Sequence, residues 1–334
     1  MPEKSAAGPV EGESPSKRQK VSDADEEPEI KVAVPTKCIL GESPVWDGGM
    51  KRLLFVDIQG KILYAWDPAT RDLKQWETPD EVGCVVPYKD NIVLIAVVDK
   101  ILQVDMTKEG KDAISDFAVL PDGHCPAGFR FNDGKCDPSG RLWVGTMNKD
   151  WRNASAPKGK LYCMGPDKKL ETKLEEVGLS NGMGWFTSAG EDGFDSMFFI
   201  DSAKQQVARF DYDDSTGAVS NERVTVTVPK ADKGGGTPDG MTVDSDGKVW
   251  VAIAGGGCVA QYDPKTGEEL RRVVLPVERP TACTFGGADL DTLYVTTREP
   301  ADQSPAPSEA GAVLAVRVPG VRGHRPAWAY RDQE

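Results

Sequence analysis

Short strand-like runs separated by turn residues recur along the whole chain from Ile30 onward, and no stretch shows sustained helical periodicity. "RLLFVDI", "NIVLIAVV", "RLWVGTM", "SMFFIDS", "KVWVAIA" and "TLYVTTR" have the β-branched and aromatic content of buried strands. Most are followed by a second short strand that ends in a turn, as in "ILYAWDPAT", "VARFDYDDSTG" and "CVAQYDPKTG". Aligned on these runs, the sequence divides into six units that begin near Leu40, Val82, Phe131, Ser180, Pro238 and Pro280. A spacing of about 40 to 60 residues is that of a four-stranded propeller blade. Each unit has an apolar face that only a neighbour can cover, and six such sheets set radially cover one another. A pair of stacked sheets would not explain the repeated order of motif, turn, strand and strand. The expected fold is therefore an all-β, six-bladed β-propeller over residues 30–334.

Residues 1–29 have a different texture. The first 30 residues hold eight acids and four bases, and almost no large apolar residue precedes Ile30. Such a segment cannot bury enough surface to offset its ordering entropy, so it is expected to be a disordered acidic tail. It has no apolar core of a secretory signal. "KRQK", Lys17 to Lys20, is read as a charge cluster in a solvated tail, with a nuclear-import patch as the alternative.

Composition removes several classes of function. The net charge of -13 disfavours a nucleic-acid partner. No run approaches the roughly 20 apolar residues of a membrane-spanning helix. Seven cysteines without a C-x-x-C pair fit reduced thiols in a cytoplasmic protein better than a disulfide framework. With only His124 and His324 present, a three-histidine zinc site and an HExxH helix are both impossible. His124, in "PDGHCPAGF", and His324, between Gly323 and Arg325, read as loop and surface residues.

The polar stretch that precedes the strongest strand recurs with variation. "GESPVWD" (Gly41 to Asp47), "RFNDGKCD" (Arg130 to Asp137), "LSNGMGW" (Leu179 to Trp185) and "TPDGMTVD" (Thr237 to Asp244) stand at equivalent places in four units. The innermost strand of each blade lines the central channel, so Glu42, Asn132, Asn181 and Asp239 converge on one axis. Two carboxylates held close together and away from water repel one another unless a cation lies between them. Oxygen donors suit Ca²⁺ and also accept Mg²⁺ or Mn²⁺; Zn²⁺ is possible but not selected. Pro44, Gly182 and Gly240 suit a tight entry that aims the preceding side chain inward. The turns "DPSGR", "DPKTG" and "DSDG" carry no chemistry in this reading. Trp46, Trp143 and Trp250 are expected to pack between blades.

At these motifs, and through "LLFVDI", "FFIDS", "FDYD" and "CTFGGADLDTLYVTT", the chain resembles the family of senescence marker protein, gluconolactonase and luciferin-regenerating enzyme. The resemblance covers nearly everything after Ile30 and implies a six-bladed propeller. It implies that Glu42, Asn181 and Asp239 bind a divalent metal, Ca²⁺ first, with Zn²⁺, Mn²⁺ or Mg²⁺ as alternatives. It also implies that Arg130 and Asn132 contact a sugar lactone and that Asp239 is the general base of its hydrolysis. Asp150, in "GTMNKDW", stands where vertebrate members have a substrate-contacting Glu. The stretch "KDWRNASAPKGK" is expected at the pocket rim. A non-catalytic calcium-binding regulator and an organophosphate-cleaving hydrolase are the competing readings. The expected state is a monomer acting on a small molecule, with no nucleic acid or membrane as partner.

Because the tail lacks apolar anchors, deleting residues 1–29 is expected to leave the melting temperature and the turnover nearly unchanged. A large loss of either, measured on the truncated protein, would mean that the segment docks on the propeller.

Overall fold

The computed structural model describes residues 27–187, 194–300 and 307–333. The expected tail up to residue 26, with its basic cluster, lies outside them. Six four-stranded antiparallel sheets follow one another, five of them meanders in which only sequence neighbours pair. Their first strands are Gly41–Asp47, Val82–Lys89, Phe129–Cys136, Ser180–Phe186, Thr237–Val243 and Pro280–Gly286. Each first strand packs against that of the next sheet, and the sixth returns to the first. The six units expected from the sequence are thus six blades around an axis, numbered here one to six in that order.

Closure joins distant parts of the chain. Glu29–Val34 pairs antiparallel with Val313–Arg317 and supplies the outermost strand of blade six. The propeller therefore starts at Glu29, one residue before the expected boundary, with Glu29 opposite Arg317. A truncation that spares this pairing ends at residue 28.

The apolar runs occupy the middle strands, which are buried on both faces, as in Arg52–Asp57, Ser196–Asp201 and Thr292–Thr297. The cores lie between blades. Trp46 of blade one stacks on Tyr294 of blade six, and Trp250 of blade five meets Phe285 of blade six edge to face. The turn aspartates also contribute to this packing. Asp137 is fully buried and accepts hydrogen bonds from Trp143 Nε1, Tyr212 Oη and Arg141 Nε. Asp244 accepts from Trp250 Nε1 and Gln261 Nε2 in the same way. Each ties the end of an inner strand to the tryptophan of the next strand.

At the end of the ring where the inner strands finish, a C-terminal strap crosses three blades. Ala327, Tyr330, Arg331 and Gln333 donate their backbone N–H groups to Trp46, Pro87, Gly140 and Pro166 in turn. Tyr330 is buried, packs against Tyr88 and Phe117, and donates its hydroxyl to Gly165 O at 2.6 Å. Tyr330→Ala is expected to destabilise the protein by about 3 kcal/mol through lost aromatic packing. Tyr330→Phe loses only the hydrogen bond and costs about 1 kcal/mol. Denaturant titration of both variants checks this; equal effects would show that the ring packing is immaterial.

Candidate functional site

The inner strands all begin at the opposite end of the axis from the strap, and all six are irregular at the same place. The ladder register shifts between Glu42 and Val45, Val82 and Cys84, Phe131 and Gly134, Ser180 and Met183, Pro238 and Met241, and Pro280 and Ala282. A bulge lets a strand bend and turns a side chain away from the pleat. Glu42, Asn132, Asn181, Asp239 and Thr281 stand at these bulges and line one cavity of about 520 Å³. In blade one the bend is made by Ser43, at φ 48, before Pro44. In blades four and five Gly182 and Gly240 allow the backbones to close up. A Cβ at the first would collide with the Met241 amide nitrogen, and at the second with Ala282.

The approach to each bulge is also fixed. Asp57 accepts hydrogen bonds from the backbone N–H groups of Ile39 and Leu40, just before Glu42. Asp201 does the same for Gly178 and Leu179, just before Asn181. Both aspartates end the second strand of their blade.

Within the site the amides are oriented by their partners. Asn132 Nδ2 donates to Asn181 Oδ1 at 2.8 Å and to Ser180 O at 2.6 Å. Its oxygen accepts from Arg130 Nη1 at 2.6 Å. Asn181 Nδ2 donates to Ser202 Oγ at 2.7 Å, and that hydroxyl donates to Pro238 O. The Asn181 oxygen therefore faces Asn132, and the Asn132 oxygen is held by the guanidinium. Of the four oxygen-bearing side chains expected on the axis, Asn132 is tied to both Arg130 and Asn181.

The electrostatics are dominated by crowded carboxyls. Burial holds Glu42 well above the usual carboxylate range, and the charges of Asp239 and Asp133 raise it further. Burial and Asp133 do the same to Asp239, against the attraction of Arg298 and Arg130. Asp133 lies with Lys135, each shifted toward its neutral form by burial and each opposing the shift of the other. Lys135 Nζ reaches Met241 O at 3.0 Å. Arg130 is buried, and Glu81, Glu42 and Asp239 stabilise its charge against that burial.

This donor set fits a hard divalent cation. A buried carboxyl and a half-buried one that cannot both ionise cheaply, beside an amide oxygen, are what such an ion relieves. The cavity lining has no Cys or His, so nothing selects a softer metal. Among the described residues no three His, Cys, Asp or Glu side chains cluster as ligands.

Other expected positions fall elsewhere. Asp150 does not line the cavity. It lies in an exposed turn, where its carboxylate accepts from Asn153 Nδ2 and its N–H donates to Asn148 Oδ1. Its neighbours Lys149, Trp151 and Arg152 provide the rim instead. His124 is half-buried, bonded to Pro121 O and Asp99 O, and His324 is exposed beside Phe186 and Phe194. Neither histidine lines the cavity. All seven cysteines are free thiols. No helix among the described residues is long and apolar enough to cross a membrane. The sequence reading missed Thr281, Glu81, Arg279 and Arg298, which also line the cavity. Thr281 had a signal, since "PTAC" occupies in unit six the place of "PDGM" in unit five. The two arginines belong to no motif.

Residues 40–299 match the family described as the SMP-30/Gluconolactonase/LRE-like region. The chain is similar to regucalcin from Danio rerio, with 38% identity over 300 residues that cover 89% of this chain and 97% of the relative. Among solved structures it is similar to luciferin-regenerating enzyme, at 29% identity and a TM-score of 0.81, over 91% of this chain and 99% of that one. It is also similar to a calcium-binding protein, regucalcin from Agrobacterium tumefaciens, at 25% identity and a TM-score of 0.79, over 90% and 96%.

The carboxyl crowding makes a test with a definite sign. Folded, Glu42 and Asp239 hold protons more tightly than at their ordinary values of 4.5 and 3.8. Without metal, their contribution to stability therefore falls as pH rises above those values and is a penalty at neutral pH. Glu42→Gln is expected to raise the melting temperature of metal-free protein at pH 7, by roughly a few degrees. The same variant should gain less than wild type when Ca²⁺ is added. Thermal melts in chelator and in excess Ca²⁺ measure both; a lower metal-free melting temperature than wild type would contradict the repulsion.

Proposed function

The chain belongs to the SMP-30/gluconolactonase/LRE-like family, and from that membership and its axial site we propose that it is a metal-dependent hydrolase that opens sugar lactones. The observation that carries this reading is the arrangement of Arg130 beside Asn132, next to the crowded pair Glu42 and Asp239, on the floor of a cavity of monosaccharide size. A site for metal alone needs Glu42, Asn181 and Asp239, but gives no reason for Arg130 to be held beside Asn132.

Glu42, Asn181 and Asp239 would hold the ion, Ca²⁺ in the first instance. Bound there, a divalent cation supplies Lewis-acid polarisation of a carbonyl. The protein residues do the rest. Asp239 takes the proton of the attacking water on its carboxylate. Burial and Asp133 keep that carboxylate basic, while Arg298 and Arg130 limit the effect. Asn132, fixed by Ser180 O and Asn181, holds Arg130 at the cavity floor. From there the guanidinium orients ring hydroxyls and stabilises negative charge developing on the lactone oxygen. The buried inner strands exclude bulk water from beneath the reacting atoms. A monomer with no nucleic-acid or membrane partner suffices for this chemistry, and we propose that state.

The second reading is a calcium-binding protein without turnover, favoured by the description of the similar Agrobacterium protein as calcium-binding. Turnover discriminates. Arg130→Ala is expected to retain metal affinity and to lose lactone turnover. Asp239→Asn keeps an oxygen donor but removes the base. It should retain part of the metal affinity and lose turnover by a factor on the order of 10² to 10⁴. Steady-state kinetics on glucono-δ-lactone at saturating Ca²⁺, with metal affinity measured by calorimetry, separate the two effects. Absence of lactone hydrolysis by wild type with Ca²⁺, Zn²⁺, Mn²⁺ or Mg²⁺ would favour the second reading.

A further inference from the structure

The cavity walls carry a charge that the lactonase reading does not use. Arg130, Lys149, Arg152, Arg279 and Arg298 all line it, in a protein whose net charge is -13. Two of the five are accounted for by Glu81. Its carboxylate lies 2.5 Å from Lys149 Nζ and 3.9 Å from Arg130 Nε, and Arg130 also grips Asn132. The other three have no such partner. Among the described residues no carboxylate oxygen lies within 4 Å of Arg152, Arg279 or Arg298, although Glu278 lines the same wall.

These three are nonetheless brought together. Arg279 immediately precedes the inner strand of blade six, and Arg298 immediately follows the second strand of the same blade. The backbone N–H of Arg298 donates to Arg279 O at 3.2 Å, which fixes the two side by side. Arg152 comes from the loop after Leu142–Asn148 of blade three, across the ring, and stacks over Trp151 at 4.4 Å. Arg279 and Arg152 both repel the charge of Arg298, while Asp239 and Glu42 attract it. Arg298 thus stands between the reactive floor and a doubly cationic rim. Hydroxyl groups of a neutral sugar do not call for three like charges around one mouth. An oxyanion does, because charge-assisted hydrogen bonds to it remove the mutual repulsion.

We propose that the preferred substrate is a sugar lactone carrying a second, ionised oxyanion group, a phosphate monoester or a carboxylate, held by Arg298, Arg279 and Arg152 at the mouth while the lactone carbonyl lies on the floor. This rests on the lactonase reading for the reaction and extends it to the substrate class. The cavity volume of about 520 Å³ accommodates a monosaccharide with one such substituent.

The test has a binding arm and a kinetic arm. Calorimetry on the Ca²⁺-loaded protein compares glucose, glucose 6-phosphate and glucuronate, none of which can be hydrolysed here as a lactone. One of the two anions is expected to bind at least roughly tenfold more tightly than glucose, the size of one charge-assisted contact. Which anion binds more tightly identifies the group. The preference should weaken as salt is added, be lost in Arg298→Gln and Arg279→Gln, and be partly restored in Arg298→Lys. The kinetic arm takes the ratio of kcat/KM for the 6-phosphate ester of glucono-δ-lactone, or for glucaro-δ-lactone, whose second carboxylate is free, to that for glucono-δ-lactone. That ratio is expected to fall roughly tenfold or more in the Gln variants. Equal binding of glucose and both anions overturns the proposal, as does a preference that survives both Gln substitutions or a fall that is equal for charged and neutral lactones. Anion preference that depends on Arg298, together with no hydrolysis of any lactone, supports the oxyanion subsite and sinks the lactonase reading instead.

Discussion

Every blade of this protein is a sheet with two faces to cover, and only a closed ring covers them all. Closure therefore governs the rest of the structure. It requires Glu29–Val34 to reach Val313–Arg317, so that the first and last elements share one sheet. It also requires the six inner strands to meet around an axis, where space is short. The repeated bulge is the local answer to that crowding. By breaking the ladder just after its start, each inner strand bends out of its neighbour's way and leaves one side chain directed at the axis. The functional site is thus a consequence of how a ring of sheets is packed, and its residues recur at the sequence period because the bulges do.

The ring sets a second condition at its centre. Glu42 and Asp133 are buried and Asp239 is half-buried; Asp133 raises the proton affinity of both others, and Asp239 that of Glu42. Such a group of like charges opposes folding unless cations answer it. Lys135 answers Asp133, and Arg130 and Arg298 answer Glu42 and Asp239, but that pair stays strained. The same tension that makes the pair a fit place for a divalent ion keeps Asp239 basic enough to serve as a proton acceptor. Neutralising it fully with protein cations would have relieved the fold and removed the chemistry.

The legible part of the fold was the part with a period. Blade starts could be read from "GESP", "RFND", "SNG" and "PDG" because turn residues and β-branched runs alternate there without exception. The axial set Glu42, Asn132, Asn181 and Asp239 followed from the same alignment. What could not be read was decided by tertiary partners. The closing strand is a short, mostly exposed segment next to an acidic tail, and nothing local names its partner. The tying of Asn132 depends on Arg130 taking its oxygen and Asn181 receiving its amide. Asp150 was placed by counting from "GTM", but the side chains of Asn148 and Asn153 fold that turn so that its neighbours line the pocket.

Floor and rim of the cavity obey different physics. The floor is made by inner strands whose positions are fixed by six interlocking contacts, by Asp57 and Asp201 at the entries, and by glycines with no room for a Cβ. A change there disturbs the ring. The rim is made by connections between strands, where Arg152, Arg279 and Arg298 sit half-buried or exposed. Substitution on such loops costs little stability, because few neighbours must adjust. A propeller of this kind can therefore keep one set of reactive groups while its rim changes the charge and shape of what it admits. The cationic wall above a reactive carboxylate pair is where such a change would be written, and its position on loops explains why no motif announced it.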